Sequence, residues 1–296
     1  MASEKNGLTM VVDVCKQVAK NFGMGIKPIR EWRLRQMRAA SQVFSTDDEF
    51  VERYALLAPR HLLGLLPNLK DLHIAEIGPG DYLTSGFALL AAGAASYTVI
   101  DRFPGNYDSP EAKRWYAAVQ EAWPRLMPDH PWPEYLQAAD FPEGYRDRWQ
   151  LISVPIEDIQ PDRQYDVVCS YQVGEHVSDI VAFAKMNARL LAANGLAAHR
   201  VDFGPHDCWF YYPNPLTFLR FPDWLWKLMG SNRGIPNRRR HHEFKAAFAE
   251  AGLNVESTDM AFFNDDQIKT ANLAKRFRSM PHESLKVGTA VYLCRP

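Results

Sequence analysis

One stretch, HIAEIGPGDYLTSG from His73 to Gly86, restricts this chain more than any other. An apolar run closes on Gly78 and Gly80, and a second apolar run, SGFALLAAGA, begins directly after. A buried strand, a tight turn and a helix follow one another within a few residues, which is how an open α/β sheet begins. Such sheets take ligands at the carboxyl ends of their strands, where strand order reverses. The turn at Gly78 and Gly80 is therefore the first place to look for a site.

The rest of the chain keeps that rhythm. SYTVIDR reads as a second strand, LISVPIEDI as a third, YDVVCSYQ as a fourth and GLAAHRVDF as a fifth. VSDIVAFAKMNARLLAANG reads as a helix ended by Gly195, and EFKAAFAEAG as a later helix closed by Gly252. LNVESTDMAFF and VGTAVYLC supply the last two strands. Strands alternating with helices predict a mostly parallel sheet with helices on both faces. Two segments are too long for plain connections. Residues 103–150 hold Trp115, Trp123, Trp132 and Trp149, and residues 204–240 hold PLTFLRFPDWLWKLMGSNRGIPNRRR. Both are rich in proline and aromatics and read as folded caps, the stripe Phe218, Leu219, Phe221, Leu225, Trp226 and Met229 forming a lid's core. Ahead of the sheet, helical periodicity runs from Lys27 to about Leu66, with Ser45, Thr46 and Asp47 as a capping region. The expected division is a helical extension or lid over 1–70 and one α/β domain over 71–296, with insertions at about 103–150 and 204–240.

Composition narrows the partners. A formal net charge of -1 gives no global field toward nucleic acid or an anionic membrane. The basic IREWRLRQMR run then reads as one of a pair of packed helices rather than a nucleic-acid arm. Cys15, Cys169, Cys208 and Cys294 form no CxxC pair and no disulfide framework. The first residues lack a signal-peptide pattern, and no apolar run is long enough to span a bilayer. The expectation is a cytoplasmic protein without nucleic-acid binding or stable membrane insertion, with a homo-oligomer left open.

The dinucleotide fingerprint GxGxxG needs a third glycine, and Leu83 stands there. Glu76 before the turn would repel a pyrophosphate, and no Walker-type GKS or GKT is present. The turn suits a ligand without phosphates, approached closely by backbone at Gly78 and Gly80. Asp101 ends the second strand about 20 residues later, the distance at which an acid caps a ribose. IEDI, with Glu157 and Asp158, follows the third strand, and YDVVCSYQVGEHV places titratable residues after the fourth.

These four motifs, in this order, resemble the class I S-adenosylmethionine-dependent methyltransferases, over about Leu72 to Pro296. EIGPG matches the family's E/DxGxG turn, VID its acidic second strand, IED its acidic third turn, and the Glu-His of YDVVCSYQVGEHV its small-molecule branch. The resemblance implies a seven-stranded doubly wound sheet, order 3-2-1-4-5-7-6, with the last strand antiparallel. It also implies S-adenosylmethionine as cofactor and S-adenosylhomocysteine as product. By position, Glu76, Gly78 and Gly80 would line the methionine part and Asp101 would hold the ribose. Arg102 and Phe103 would flank the adenine, and Asp158 or Glu157 would bond its amino group. Tyr171, with Ser170 and Gln172, would lie beneath the sulfonium.

A hydroxyl acceptor needs a base, and candidates gather after the fourth and fifth strands: Glu175, His176, His199, Asp202, His206 and Asp207. His176 is the first choice as base or substrate orienter, unless Glu175 and His176 simply join strand to helix. His206 with Asp207 is the second. Tyr82, Arg233 and Arg238 are candidate acceptor contacts, the arginines as clamps on a carboxylate or phosphate. No His–acid spacing is diagnostic of a metal, so none is expected. The function expected is methyl transfer to a small molecule or saccharide, on oxygen by preference, with nitrogen or sulfur also open. The alternatives are an RNA or protein methyltransferase and a non-catalytic cofactor-binding protein.

Overall fold

A computed structural model describes residues 7–32 and 46–296. The basic run IREWRLRQMRAASQVF lies mostly over 33–45, outside the described residues, and so does Ser45. The neighbouring cap is formed: the Thr46 hydroxyl accepts from the Glu49 N–H at 3.1 Å.

The strands are β1 (His73–Ile77), β2 (Ser96–Ile100), β3 (Trp149–Ile152), β4 (Tyr165–Tyr171), β5 (Leu191–Asp202), β6 (Asn254–Phe262) and β7 (Val287–Arg295). They form one sheet in the order β3-β2-β1-β4-β5-β7-β6. β1 to β5 are parallel, and β7 is antiparallel to both of its neighbours. The helices are α1 (Gly7–Gly25), α2 (Leu57–Leu65), α3 (Thr84–Ala91), α4 (Pro110–Leu126), α5 (Ile180–Leu190), α6 (Asp223–Gly230) and α7 (His241–Glu250), with shorter turns between them.

Both sheet faces are buried, as parallel strands require. Alternate residues of one strand serve opposite cores: Cys169 and Ala198 join Phe87, Trp115, Trp123 and Phe141, while Val168 and Ala197 join Phe183, Phe244 and Phe248. Phe50, Val51, Ala55 and Leu62 belong to the first core, so residues 46–65 pack as part of the sheet domain. α3 lies very close to β2: a Cβ on Gly86 would stand 2.2 Å from the Tyr97 ring. Gly86 thus allows the close helix–strand approach for which the dinucleotide fingerprint uses its third glycine.

Three expectations are corrected. Helix α5 ends at Leu190, not Gly195, because Leu191 already pairs with Tyr165 of β4. Gly195 sits inside the bulge between the Leu191 and Leu196 pairings, where a Cβ would crowd the Tyr165 carbonyl at 3.0 Å. β3 is only Trp149–Ile152, and Ile156–Asp158 is a tight turn behind Pro155. The segment 103–150 is not a cap, since α4 and its following loop bury Trp115, Tyr116, Trp123 and Phe141 in the first core.

In the segment 204–240, Trp209, Leu216, Phe218, Leu219, Phe221, Trp226 and Met229 form a third core together with Ile268, Leu273, Phe277 and Leu285 from between β6 and β7. α1 covers it with a mixed face, on which Met10, Val14 and Val18 pack against this core. Asp13, Gln17 and Asn21 are its buried residues, and they bond the Tyr212 hydroxyl, the Cys208 sulfur and the Leu228 carbonyl.

Candidate active site

The turn after β1 has two glycines with different duties. Gly78 (φ +66°) donates its N–H to the Ile100 carbonyl at 2.9 Å, and a Cβ there would meet Val173 at 2.7 Å. Gly80 (φ +90°) has no atom within 4 Å of where its Cβ would be, so its backbone is an open ledge. Glu76 lies beneath this ledge. Its buried carboxylate accepts from the Tyr97 hydroxyl at 2.6 Å, and burial pushes its pKa up against that bond.

Asp101 closes β2, half-buried, with one oxygen accepting the Phe103 N–H at 2.7 Å. Burial raises its pKa, and the nearby Asp81 carboxylate adds to the rise. Phe103 is 75% exposed, with the Arg102 guanidinium 5.1 Å from its ring centroid. A Cβ on Gly105 would come within 2.1 Å of the Asp81 carbonyl, so the loop after β2 lies directly on the loop after β1. Glu157 and Asp158 share the turn after β3, and Asp158 is exposed.

Strand alternation separates Ser170 from Tyr171. Ser170 is buried and hydrogen-bonds His199 at 2.8 Å in the second core, so it does not share the ledge with Tyr171. The Tyr171 hydroxyl meets the His61 Nδ1 at 3.0 Å, and burial pushes the phenol's pKa up. His61 was not anticipated: α2 delivers it from 110 residues earlier, and no local motif marks it. Gln172 is exposed, with φ +60°, where the chain leaves the sheet.

The second group of residues forms a polar pole beyond β4 and β5. The turn Gly174–His176 is clamped by Asn237, whose side-chain amide donates to the Gly174 and Val177 carbonyls at 2.9 and 3.0 Å. His176 Nδ1 donates to the Gly234 carbonyl at 2.7 Å. Its pKa is lowered by desolvation and by neighbouring His206, whose ring centroid is 5.2 Å away. Glu175 is 2% exposed, and burial drives its carboxyl up to about 8. The partner of His206 is Asp202, with Nε2 3.5 Å from the carboxylate, and not the expected Asp207. Burial opposes a charge on His206, yet Asp202, Glu175 and Asp207 together raise its pKa. Asp207 instead pairs with Arg233 at 2.8 Å, which also bonds Gln17 of α1.

Arg238 is not a surface clamp. It is buried in the cap, donates to the Phe221 carbonyl at 2.6 Å and to Asp223, and lies over Trp226. Tyr82 is half-buried, edge-on to Phe50 at 6.0 Å.

A doubly wound sheet in this strand order, with a glycine ledge after β1 and a carboxylate closing β2, defines a class I, Rossmann-like S-adenosylmethionine-dependent methyltransferase. The family described as "Methyltransferase domain" matches residues 49–258, and the chain belongs to it. No curated protein matches. Among solved structures the chain is similar to a Haloferax volcanii methyltransferase in complex with the Trm112 methyltransferase activator (18% identity, 84% of this chain and 92% of that one, TM-score 0.44). It is also similar to an S-adenosylmethionine-dependent methyltransferase from Mesorhizobium loti (14%, 83% and 100%, TM-score 0.43). A third is the Synechocystis magnesium protoporphyrin IX methyltransferase with bound S-adenosylhomocysteine (13%, 81% and 80%, TM-score 0.41).

S-Adenosylmethionine is thus the cofactor, and the residues present fit it. Gly80 offers bare backbone, Asp101 a strand-end carboxylate suited to vicinal hydroxyls, and Phe103 an exposed ring suited to a purine face.

Proposed function

We propose that this methyltransferase acts on an oxygen of a small-molecule or saccharide acceptor in the cytoplasm. The observation that carries the reading is the polar pole of Glu175, His176, His206 and Asp207, backed by Asp202, beside the exit of β4. The cofactor, when bound, supplies a methyl group activated on a sulfonium. This chain's task is to align the acceptor in line with it and to exclude water. Asp101, Arg102 and Phe103, with Asp158, hold the nucleoside end; the Glu157 side chain lies outside what the structure describes. Gly78 and Gly80 hold the methionine end, and Glu76 braces that turn from below. Tyr171 and Gln172 flank the methyl-bearing end. The pole holds the acceptor hydroxyl and receives its proton. The aromatic cap, with α1 across it, supports the wall of a compact acceptor pocket, and Tyr82 and Arg233 are contacts within reach of it.

No helix among the described residues is long and apolar enough to cross a membrane, in keeping with an acceptor met in solution. The test is incubation with methyl-labelled cofactor and separated pools of metabolites, saccharides, RNA and protein. Label in the metabolite or saccharide pool is expected. Label confined to RNA or protein would replace this reading with its macromolecular alternative, and cofactor binding without turnover on any pool would favour a scaffold.

A further inference from the structure

We propose that Glu175, His176 and His206 form a binding site for one first-row divalent cation. Folding brings His206 to the adjacent pair Glu175 and His176: one ligand atom from each lies within 4.8 Å of the other two. Ligands at roughly 2.0–2.2 Å from an ion stand about 3–4 Å apart, so a small contraction completes the set.

Three further observations point the same way. Both Glu175 carboxylate oxygens are buried and accept no hydrogen bond. A buried carboxylate in that condition calls for a partner, and a cation is one. The His176 Nδ1–H is committed to the Gly234 carbonyl at 2.7 Å, which leaves the Nε2 lone pair as the available ligand. A carbonyl on the far nitrogen is the outer contact that metal-bound imidazoles generally have. Asp202, 3.5 Å from His206, adds negative charge beside the cluster without being needed as a ligand.

Two imidazoles and one carboxylate favour Mn²⁺, Fe²⁺, Co²⁺ or Zn²⁺ over Ca²⁺ or Mg²⁺. Three protein ligands leave coordination positions open. This step rests on the proposed function: the open positions would take the acceptor oxygen and fix it for in-line approach, its proton passing to Asp202, the carboxylate beside the cluster that is not a ligand.

The test uses the full chain, stripped with a chelator and titrated with Co²⁺ under visible absorbance. Binding of S-adenosylmethionine is measured calorimetrically on the same samples. One equivalent of Co²⁺ with d–d bands of a nitrogen–oxygen site is expected. Glu175→Gln and His206→Asn should each weaken it at least tenfold while still binding the cofactor, which shows that the variants are folded. Wild type that binds the cofactor but gives no saturable Co²⁺ spectrum overturns the proposal, as does unchanged Co²⁺ affinity in both variants. Co²⁺ binding without cofactor binding would keep the cation site and sink the methyl-transfer reading. Should either variant fail to fold, His176→Gln, at the exposed member of the set, takes its place and should weaken Co²⁺ by the same factor; unchanged affinity there overturns the proposal.

Discussion

At the scale of single residues, the cofactor reading depends on one carboxylate. Asp101 is held at the strand end by the Phe103 N–H, so its position is set before any ligand arrives. Each charge-assisted bond to a hydroxyl is worth roughly 1.5–3 kcal/mol. Asp101→Ala should therefore weaken S-adenosylmethionine about tenfold or more, measured by calorimetry, with little change in the melting temperature. Gly78→Ala should instead act first on the fold, and on the cofactor only through the turn that holds its methionine end. Its positive φ and the 2.7 Å approach to Val173 make any Cβ a strain on the fold, at a cost of roughly 1–3 kcal/mol in urea unfolding. Pairing it with Val173→Ala should recover the steric part and leave the backbone part. If Gly78→Ala unfolds like the parent, the close packing of this turn on the loop after β4 is not needed for stability.

At the scale of elements, the run SNRGIPNRRR shows how burial sorts residues of equal charge. Arg240 is 1% exposed and donates to the Phe203, Leu285 and Val287 carbonyls at 2.8, 2.9 and 2.9 Å. Burial lowers its pKa to about 10, still well above neutrality, so it carries its charge into the core against those carbonyls. Its neighbour Arg239 is exposed and pairs with Glu243 at 2.6 Å. Arg240→Ala should cost about 3 kcal/mol or more by leaving buried carbonyls without donors, whereas Arg239→Ala should cost under about 1 kcal/mol. Chemical denaturation of both variants checks the contrast. Similar small losses would mean that the cap is not anchored through Arg240. The same segment, through Asn237 and Gly234, also shapes the turn that carries Glu175 and His176.

At the scale of the whole molecule, acid stability has an identifiable contributor. His199 is fully buried in the second core, and desolvation lowers its pKa from 6.5 to about 3. The folded state therefore keeps His199 neutral while the unfolded chain takes up a proton as pH falls below 6.5. Its stabilisation is complete above pH 6.5 and is lost progressively toward pH 3. By pH 5 the loss is roughly 2 kcal/mol, at about 1.4 kcal/mol per unit. The double variant Ser170→Ala with His199→Phe replaces both hydrogen-bond partners by apolar groups and should flatten this part of the profile. Melting temperatures at pH 7 and pH 5 test it; parallel profiles for parent and variant would remove His199 as the cause.

Local periodicity and turn chemistry act over a few residues, and what they specify was legible in the sequence. The strand–turn–helix at Gly78 and Gly80, the acid ending β2, the order of strands and helices and the cap's apolar stripe were all readable in this way. Errors began where distant contacts compete with local pattern. Gly195 looked like a helix stop, but pairing with β4 had already begun at Leu191. Ser170 and Tyr171 looked like one group, and the two-sided burial of β4 sent them to opposite faces. Arg238 looked like a surface clamp until the cap closed around it. The sequence by itself determined the sheet, its switch-point turn and the carboxylate that ends β2. Only the tertiary structure decided that Asp202 backs His206, that His61 meets Tyr171, and that Glu175 is buried against two histidines. His61 with Tyr171, and His206 with Glu175, join residues far apart in the chain, and burial, which also sets the charge and partner of the short-range pair Asp202–His206, exists only once the elements have packed.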